Sequence, residues 1–332
     1  MKKICIVLCL CLAALLVLPG CAGEKQLTRV RLSEVTHSVF YAPQYVAMSQ
    51  GFFRQEGLEV ELTNGGGADK VMTAVVSGQA DMGLAGPEAA IYVMNQGKED
   101  HPVIFAQLTK RDGSFLLGRE ADDSFDFSKL KGKSIIAGRP GGMPYMTLLY
   151  VLRQHGLEPG KDVEVISNIQ FNLMGGAFES GTGDYVTLFE PTASAFAAQG
   201  KGHIVTNMGL ESGEVPYTTF MMRKDTIENE PGFAAAFVRA IYRAQKWVWA
   251  AGDEEVAYAM QSYFPDTDIA TLSAVAKSYR ATDSWTRVPT MTEDAFTRLQ
   301  DILDGAGELA ARIELSELVD NSFGEAAISE IG

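Results

Sequence analysis

Apolar residues recur along the chain with two periods, two and about 3.6 residues, and glycine-rich polar turns separate the segments. Residues 58–62 alternate between apolar and polar positions, which is the pattern of a half-buried strand. Residues 71–76 place their valines and Met72 on one helical face. The short apolar run 82–84 is typical of a fully buried strand. Strands that alternate with helices in this way predict an α/β fold.

The same patterns predict the other elements. Strands are expected at 30–35, 58–62, 82–84, 103–108, 115–118, 134–137, 163–166, 184–189 and 203–206, and 217–222 is expected to be the return crossing between the lobes. Helices are expected after residues 43, 67, 87 and 143, at 173–179, from Pro231 onward, and at 253–264, 268–279 and 292–305. The chain after residue 229 is therefore nearly all helical, and we expect it to pack on the first part of the fold.

The stretch 63–97 contains two helices that each begin just after glycine. Three consecutive glycines at 65–67 allow the backbone to approach a guest closely, since no Cβ intervenes. Asp69 is the expected N-cap of the first helix, and Pro87 occupies the first position of the second. Both helices would direct unpaired N–H groups at the edge where open α/β sheets bind small ligands. Ordinary glycine-rich turns without a ligand are the alternative.

The N-terminus has the pattern of an export signal. Lys2 and Lys3 precede the apolar run 4–18, which is too short for a comfortable membrane span. Leu-Pro-Gly-Cys at 18–21 resembles the bacterial lipobox, in which the cysteine is lipidated after cleavage. We therefore expect a signal peptide at 1–20 and a lipidated tether at 21–28, with Cys21 as the lipidation site. An uncleaved anchor is the alternative.

Composition narrows the possible functions. The chain has 332 residues, 46% of them hydrophobic, and a net charge of −14. It is long enough for two α/β lobes, and its acidity argues against nucleic-acid binding. All four cysteines lie within the first 21 residues, so no disulfide, Cys-ligated zinc site or catalytic thiol is expected in the folded body. The four histidines have no metal-ligand spacing, and we expect neither a metal nor a cofactor.

Several motifs, taken in order, resemble one family. These are His-Ser-Val-Phe-Tyr-Ala-Pro at 37–43, Gly-Phe-Phe at 51–53, Gly-Gln-Ala-Asp-Met-Gly at 78–83, Leu-Lys-Gly-Lys at 130–133 and Gly-Gly at 141–142. The set resembles the solute-binding proteins of ATP-driven (ABC) importers for aliphatic sulfonates, taurine, nitrate and the hydroxymethylpyrimidine precursor of thiamine. Each motif alone is weak, but their order covers nearly the whole chain.

The resemblance implies a two-lobed periplasmic-binding-protein type II fold with two hinge crossovers and C-terminal helices packed on lobe 1. Lobe 1 would comprise 29–112 and 220–332, and lobe 2 would comprise 113–219. The protein would act as a monomer at the outer face of the cytoplasmic membrane, capture a small molecule between its lobes, and deliver it to a permease and its ATPase. A fungal pyrimidine synthase shares this fold, but its cysteine-rich signature is missing here. We therefore predict a binding protein and not an enzyme.

The candidate ligand contacts lie in loops that follow strands. They are Phe40, Tyr41, Gly66, Gly67, Glu88, Lys110, Arg139, Gly141, Gly142, Asn168, Phe171 and Glu190. Glu88 and Glu190 would accept hydrogen bonds from a ligand amine or ring nitrogen, or would only cap their helices. Arg139 and the glycine turn beside it would suit an anion, or Arg139 would only pair with a surface acid. The two acids and the aromatics favour a polar heteroaromatic ligand over a bare anion.

The lipobox yields a direct test. Cys21→Ala should release the protein from membranes, because it removes the thiol that the lipid would modify. Membrane fractionation of cells that express the variant measures this, with Cys9→Ala in the apolar run as the control that stays attached. Retention of the Cys21→Ala protein on membranes would contradict the lipoprotein prediction.

Overall fold

The computed structural model describes residues 26–97 and 99–332. The predicted signal peptide and Cys21 lie outside these residues. Ten strands form two five-stranded sheets. They are β1 (Thr28–Glu34), β2 (Leu58–Asn64), β3 (Met82–Ala85), β4 (Pro102–Thr109), β5 (Ser114–Gly118), β6 (Ser134–Ile136), β7 (Glu164–Ile166), β8 (Tyr185–Phe189), β9 (His203–Asn207) and β10 (Thr218–Arg223). The predicted α/β class and the predicted strands are confirmed.

The two sheets are built alike. The first has the strand order β2-β1-β3-β10-β4 and the second the order β7-β6-β8-β5-β9. In the first sheet β1 runs parallel to β2 and β3, and β10 runs antiparallel to β3 and β4. In the second, β6 is parallel to β7 and β8, while β5 is antiparallel to β8 and β9. Both sheets thus contain one strand that reverses the direction of its neighbours.

Helices cover the sheets. They are α1 (Ala42–Ser49), α2 (Phe52–Gln55), α3 (Ala68–Val76), α4 (Glu88–Asn95), α5 (Met143–Gln154), α6 (Met174–Glu179), α7 (Thr192–Ala198), α8 (Met208–Ser212), α9 (Lys224–Asn229), α10 (Pro231–Ala250), α11 (Asp253–Met260), α12 (Ile269–Ala281), α13 (Glu293–Gly305), α14 (Leu315–Leu318) and α15 (Ser322–Ile331). Short 3-10 turns occupy 39–41, 127–130, 171–173 and 261–263.

Close packing fixes α3 against β3. All four residues of β3 are buried. A Cβ on Gly83 would lie 2.8 Å from Val71 Cγ1 and 2.9 Å from Val75 Cγ2, so only glycine lets the helix come this close. The apolar face predicted for 71–76 therefore packs directly on the strand, and the start of α3 is held beside the carboxyl end of that strand.

The C-terminal helices pack on the first sheet, as predicted. Phe237 of α10 is fully buried, and its ring lies 4.8 Å from Phe53, 5.9 Å from Phe105 and 4.9 Å from Phe220, measured between ring centroids. Trp285, also fully buried, donates its Nε1–H to the Phe40 carbonyl at 2.8 Å. The helical region thereby supports the loop that carries Phe40.

The chain passes between the sheets twice. The first crossover is the segment 110–113, and the second runs through α8 and residues 213–217. The crossovers touch, since Val215 N–H donates to the Lys110 carbonyl at 3.0 Å and Tyr217 N–H to that of Thr109 at 3.1 Å. The predicted lobe boundary between residues 219 and 220 falls within β10. The division into lobes at 112 and 219 stays a prediction.

Candidate functional site

A groove of about 540 Å³ lies between the two sheets at the start of α4. Its floor comes from α3 and α4 of the first sheet, and its far wall is the loop 139–141 that follows β6 of the second. Three predicted contacts, Glu88, Arg139 and Gly141, line it. The other lining residues include Asp69, Met72, Thr73, Ala89, Tyr92 and Val93. The two glycine-rich regions identified in the sequence therefore meet across one groove.

Glu88 is the buried charged group of this groove. Its side chain begins α4, is only 3% exposed, and has an oxygen, Oε2, without a hydrogen-bond partner among the described residues. Burial raises the pKa of its carboxyl to about 7, against the opposing effects of nearby N–H groups and Arg139. Its carboxylate lies over Gly86, where a Cβ would come within 1.9 Å of Oε2. Backbone N–H groups of Glu88 itself and of Met143 lie within reach of this carboxylate, so capping of the helix start stays an alternative role.

Arg139 is paired with an acid across the groove. Its Nη2 lies 2.9 Å from Asp69 Oδ1, and both side chains are more than half exposed. The prediction that Asp69 is the N-cap of α3 is wrong, because Gly67 holds that position and Asp69 lies in the first turn. The side chain is drawn toward the guanidinium of the opposite loop instead. An exposed ion pair of this kind contributes little to the stability of the protein. Arg139 can therefore leave Asp69 for another anionic partner at a small cost in free energy.

The glycine turns affect the shape of the groove more than they supply N–H donors to it. Gly66 N–H already donates to Asn64 Oδ1 at 3.0 Å, and Gly142 N–H to the Arg139 carbonyl at 3.3 Å. A Cβ on Gly67 would lie 2.7 Å from Asp69 Oδ1. Gly141 has a φ of +75° and its carbonyl accepts from Tyr92 OH at 3.2 Å, which ties the second sheet to α4.

An aromatic cluster joins the two sheets. Phe40 and Tyr41 are both buried. The Phe40 ring lies 5.7 Å from that of Phe189 on the second sheet and 5.9 Å from that of Tyr217. Phe171 is about half exposed and lies 5.6 Å from Phe189, at the outer end of the cluster. Predicted aromatic contacts from both sheets thus meet and pack on one another.

Three predicted contacts have other partners or none. Lys110 Nζ lies 2.7 Å from Asp283 and 3.5 Å from Glu214. Both carboxylate oxygens of Glu190 accept bonds from Ser194, one from its N–H at 3.0 Å and one from its hydroxyl at 2.7 Å, which is the capping alternative. Asn168 is exposed. A ligand role for these residues stays a prediction.

Sequence reasoning missed two buried polar residues near this cluster, Asp112 and Tyr217. Asp112 is 1% exposed, and burial raises the pKa of its carboxyl to about 6. The Tyr217 hydroxyl lies within hydrogen-bonding reach of the Asp112 carboxylate, which opposes the effect of burial on the pKa of Asp112 and adds to that of burial in raising the pKa of Tyr217. The signal was weak, because Lys-Arg-Asp-Gly-Ser at 110–114 has the composition of a solvated loop.

Neither a metal centre nor a membrane span was found in the part of the chain that the structure describes. No group of three or more His, Cys, Asp or Glu in 26–97 and 99–332 is arranged to hold an ion. Within the same ranges, no helix combines the length and apolar character needed to cross a bilayer.

Comparisons with known proteins identify the family. The chain matches the NMT1-like family over residues 25–261. It is 44% identical over 313 residues to the provisionally named binding protein YtlA of Bacillus subtilis (strain 168), with 94% of each chain covered. It is 25% identical over 241 residues to the nitrate/nitrite binding protein NrtA of Synechocystis sp. PCC 6803, which covers 64% of this chain and 52% of that protein.

A solved structure has the same fold. The alkanesulfonate-binding protein SsuA of Xanthomonas axonopodis pv. citri, bound to MOPS, is similar with a TM-score of 0.71 at 15% identity, covering 88% of this chain and 98% of that one. The chain therefore belongs to the NMT1-like family and has the fold of periplasmic solute-binding proteins. The resemblance noted in the sequence is confirmed at the level of family and fold.

The burial of Glu88 predicts how stability varies with pH. The carboxyl ionises near 4.5 in the unfolded chain and near 7 in the folded one, so the folded protein holds the proton longer. The free energy of unfolding should therefore fall by up to about 3 kcal/mol as the pH rises from about 4.5 to about 7, and this contribution should then stay constant. Glu88→Gln should remove that fall, as measured by denaturant unfolding at pH 5 and pH 8.

The exposed Glu254 supplies the control, because Glu254→Gln should leave the pH dependence of stability unchanged. The Asp112 carboxyl is present in wild type and in both variants, so its contribution to the pH dependence of the free energy of unfolding is the same in all three and cancels when they are compared. Identical pH dependence in wild type and Glu88→Gln would contradict the burial of an unpartnered Glu88 carboxylate.

Proposed function

We propose that this protein is the solute-binding component of an ABC importer and that its ligand is a small, polar heteroaromatic molecule that bears an amine or a protonated ring nitrogen. The observation that carries the proposal is the buried Glu88 oxygen without a partner at the groove. Buried polar groups in native proteins nearly always have a partner, so an unpartnered one at a groove is accounted for by an absent ligand.

The chemistry of the site favours a donor over an anion. An N–H group of the ligand would satisfy Glu88 Oε2, whereas an anion would be repelled once the carboxyl ionises. The ring of Tyr92 in the groove wall offers an apolar face to a planar ring. The ligand would touch both sheets, which is the condition for closure of the lobes around it.

An anion is the second candidate. Two of the similar proteins are described as binding nitrate or nitrite and alkanesulfonates. Arg139 reaches the groove through an exposed ion pair that an anionic ligand would compete for, and Arg111 Nε is buried without a hydrogen-bond partner among the described residues. In this case the ligand would bind with Glu88 protonated.

The remaining features follow the same proposal. A permease and its ATPase would receive the ligand. A lipid on Cys21 would hold the protein at the outer face of the cytoplasmic membrane. The protein would bind and deliver its ligand as a monomer. The role would be binding rather than catalysis, in keeping with the similar proteins that are described as binding proteins.

The two ligand classes differ in how binding depends on pH. As Glu88 ionises through about pH 7, affinity should rise for an amine-bearing ligand of constant charge and fall for nitrate or a sulfonate. Glu88→Gln should weaken the amine-bearing ligand by about 1–3 kcal/mol, because a charged hydrogen bond is lost. A thermal-shift screen with hydroxymethylpyrimidine, thiamine, riboflavin, taurine, alkanesulfonates and nitrate finds the ligand, and calorimetry at pH 6 and pH 8 measures its affinity.

The control is again Glu254→Gln, which should bind like the wild type. If taurine or nitrate raises the melting temperature and this effect weakens at pH 8, the ligand would be assigned to the anion class. Binding by none of these compounds would count against the whole proposal, and equal affinity of wild type and Glu88→Gln for an amine-bearing ligand would remove Glu88 from the site.

A further inference from the structure

The groove beside Glu88 follows two helices along their whole length. Its lining residues on α3 extend from Asp69 to Ser77, and those on α4 extend from Glu88 to Gln96. Each series covers about 12 Å, given the rise of an α-helix per residue. Strands β2 and β3 both run parallel to β1, so the helices that follow them start at the same edge of the sheet and run in the same direction. The groove therefore has two distinct ends, one at the helix starts and one at the helix ends.

The two ends and the middle of the groove differ in chemistry. At the helix starts lie the carboxylates of Asp69 and Glu88, and the Glu88 oxygen Oε2 has no hydrogen-bond partner among the described residues. At the helix ends lie the Ser77 hydroxyl and the Gln96 amide, both on exposed residues. The middle is lined by apolar side chains and one tyrosine ring, which are Met72, Val76, Ala89, Val93 and Tyr92. Thr73 also lines the middle, but its hydroxyl already donates to the Asp69 carbonyl at 2.8 Å.

The groove is longer than a small anion or a single ring requires. Its volume of about 540 Å³ lies in the range of pockets that hold drug-sized ligands. A nitrate ion or one aromatic ring against Glu88 would leave Ser77 and Gln96, about 12 Å away, without a contact. It would also leave the half-buried Val76 and Val93 facing water, although burial of apolar surface is favourable. The groove therefore matches a longer molecule.

We propose that the ligand is an elongated amine, with an N–H head group that binds Glu88, an apolar body that lies between α3 and α4, and a hydrogen-bonding end group that Ser77 and Gln96 bind. The head group binds Glu88 rather than Asp69, because Asp69 is paired with Arg139. Ser77 and Gln96 are then specificity-determining residues, since they select among amines by length. The inference rests on the proposed function, which places the amine at Glu88, and it adds the length of the ligand and the chemistry of its far end.

The first test measures binding of linear amino alcohols, from aminopropanol to aminodecanol, by calorimetry at pH 8. Affinity should rise about fourfold with each added methylene until the hydroxyl reaches Ser77 and Gln96, because each methylene is buried between the helices. The alkylamine with a methyl in place of the hydroxyl should bind about fivefold more weakly than the amino alcohol of the best length, since it makes no hydrogen bond at the far end. Affinity that does not depend on chain length would overturn the inference.

The second test blocks the middle of the groove. Val76→Trp should lower the affinity for aminodecanol to that for aminopropanol, because the larger side chain fills the space that the apolar body needs. The affinity for aminopropanol should stay at the wild-type value, since Glu88 is unchanged. Gln79→Trp, at an exposed position outside the groove, is the matched control and should bind like wild type. Equal affinity of wild type and Val76→Trp for aminodecanol would contradict the inference.

A change at the far end keeps the inference testable if Val76→Trp does not fold. The double variant Ser77→Ala, Gln96→Leu alters two exposed residues and should bind the best amino alcohol only as well as the alkylamine of the same length. Its control is Ser180→Ala, Gln199→Leu, which changes the corresponding residues at the ends of α6 and α7 and should have no effect. If amines bind but aminodecanol binds no more tightly than aminopropanol, the inference alone fails. If no amine binds, the proposed function fails with it.

Discussion

A carboxylate held away from water raises the free energy of the folded protein unless donors or a cation compensate, and Glu88 is held in this state by both sheets. The start of α4 fixes its backbone, Gly86 makes room for its carboxylate, and the loop after β6 covers it. On the proposed function, a ligand would offset this cost by supplying a donor to Glu88. The groove and the glycine turns lie beside that carboxylate.

Closure of the groove depends on weak contacts between the sheets. Arg139 meets Asp69 through an exposed ion pair, and Tyr92 donates to Gly141. Exposed contacts of this kind contribute little free energy each. A ligand that touches both sheets would then decide the balance between open and closed forms. Strong interlobe pairs would hold the protein shut whether or not the ligand was bound.

Much of the fold could be predicted because its signals are local. The alternation at 58–62 and the apolar run at 82–84 each specify a strand without reference to distant residues. Glu88, Arg139 and Gly141 line one groove because they follow strands whose ends meet, while their role in binding a ligand stays a prediction. The cap of α3 was misassigned because the opposite loop draws Asp69 toward Arg139. Asp112 was missed because its burial involves residues far away in sequence, among them Tyr217, whose hydroxyl lies beside its carboxylate.

The most direct test of the central claim is a titration of the Glu88 carboxyl itself, followed by carbon-13 NMR of the glutamate-labelled protein and assigned by the signal that Glu88→Gln removes. The account predicts a midpoint near pH 7 in the free protein, well above the value of 4.5 for an ordinary glutamate. Saturation with an amine-bearing ligand should move it lower, because the ligand stabilises the charged form. A midpoint in the ordinary range, or one that the ligand leaves unmoved, would contradict the account.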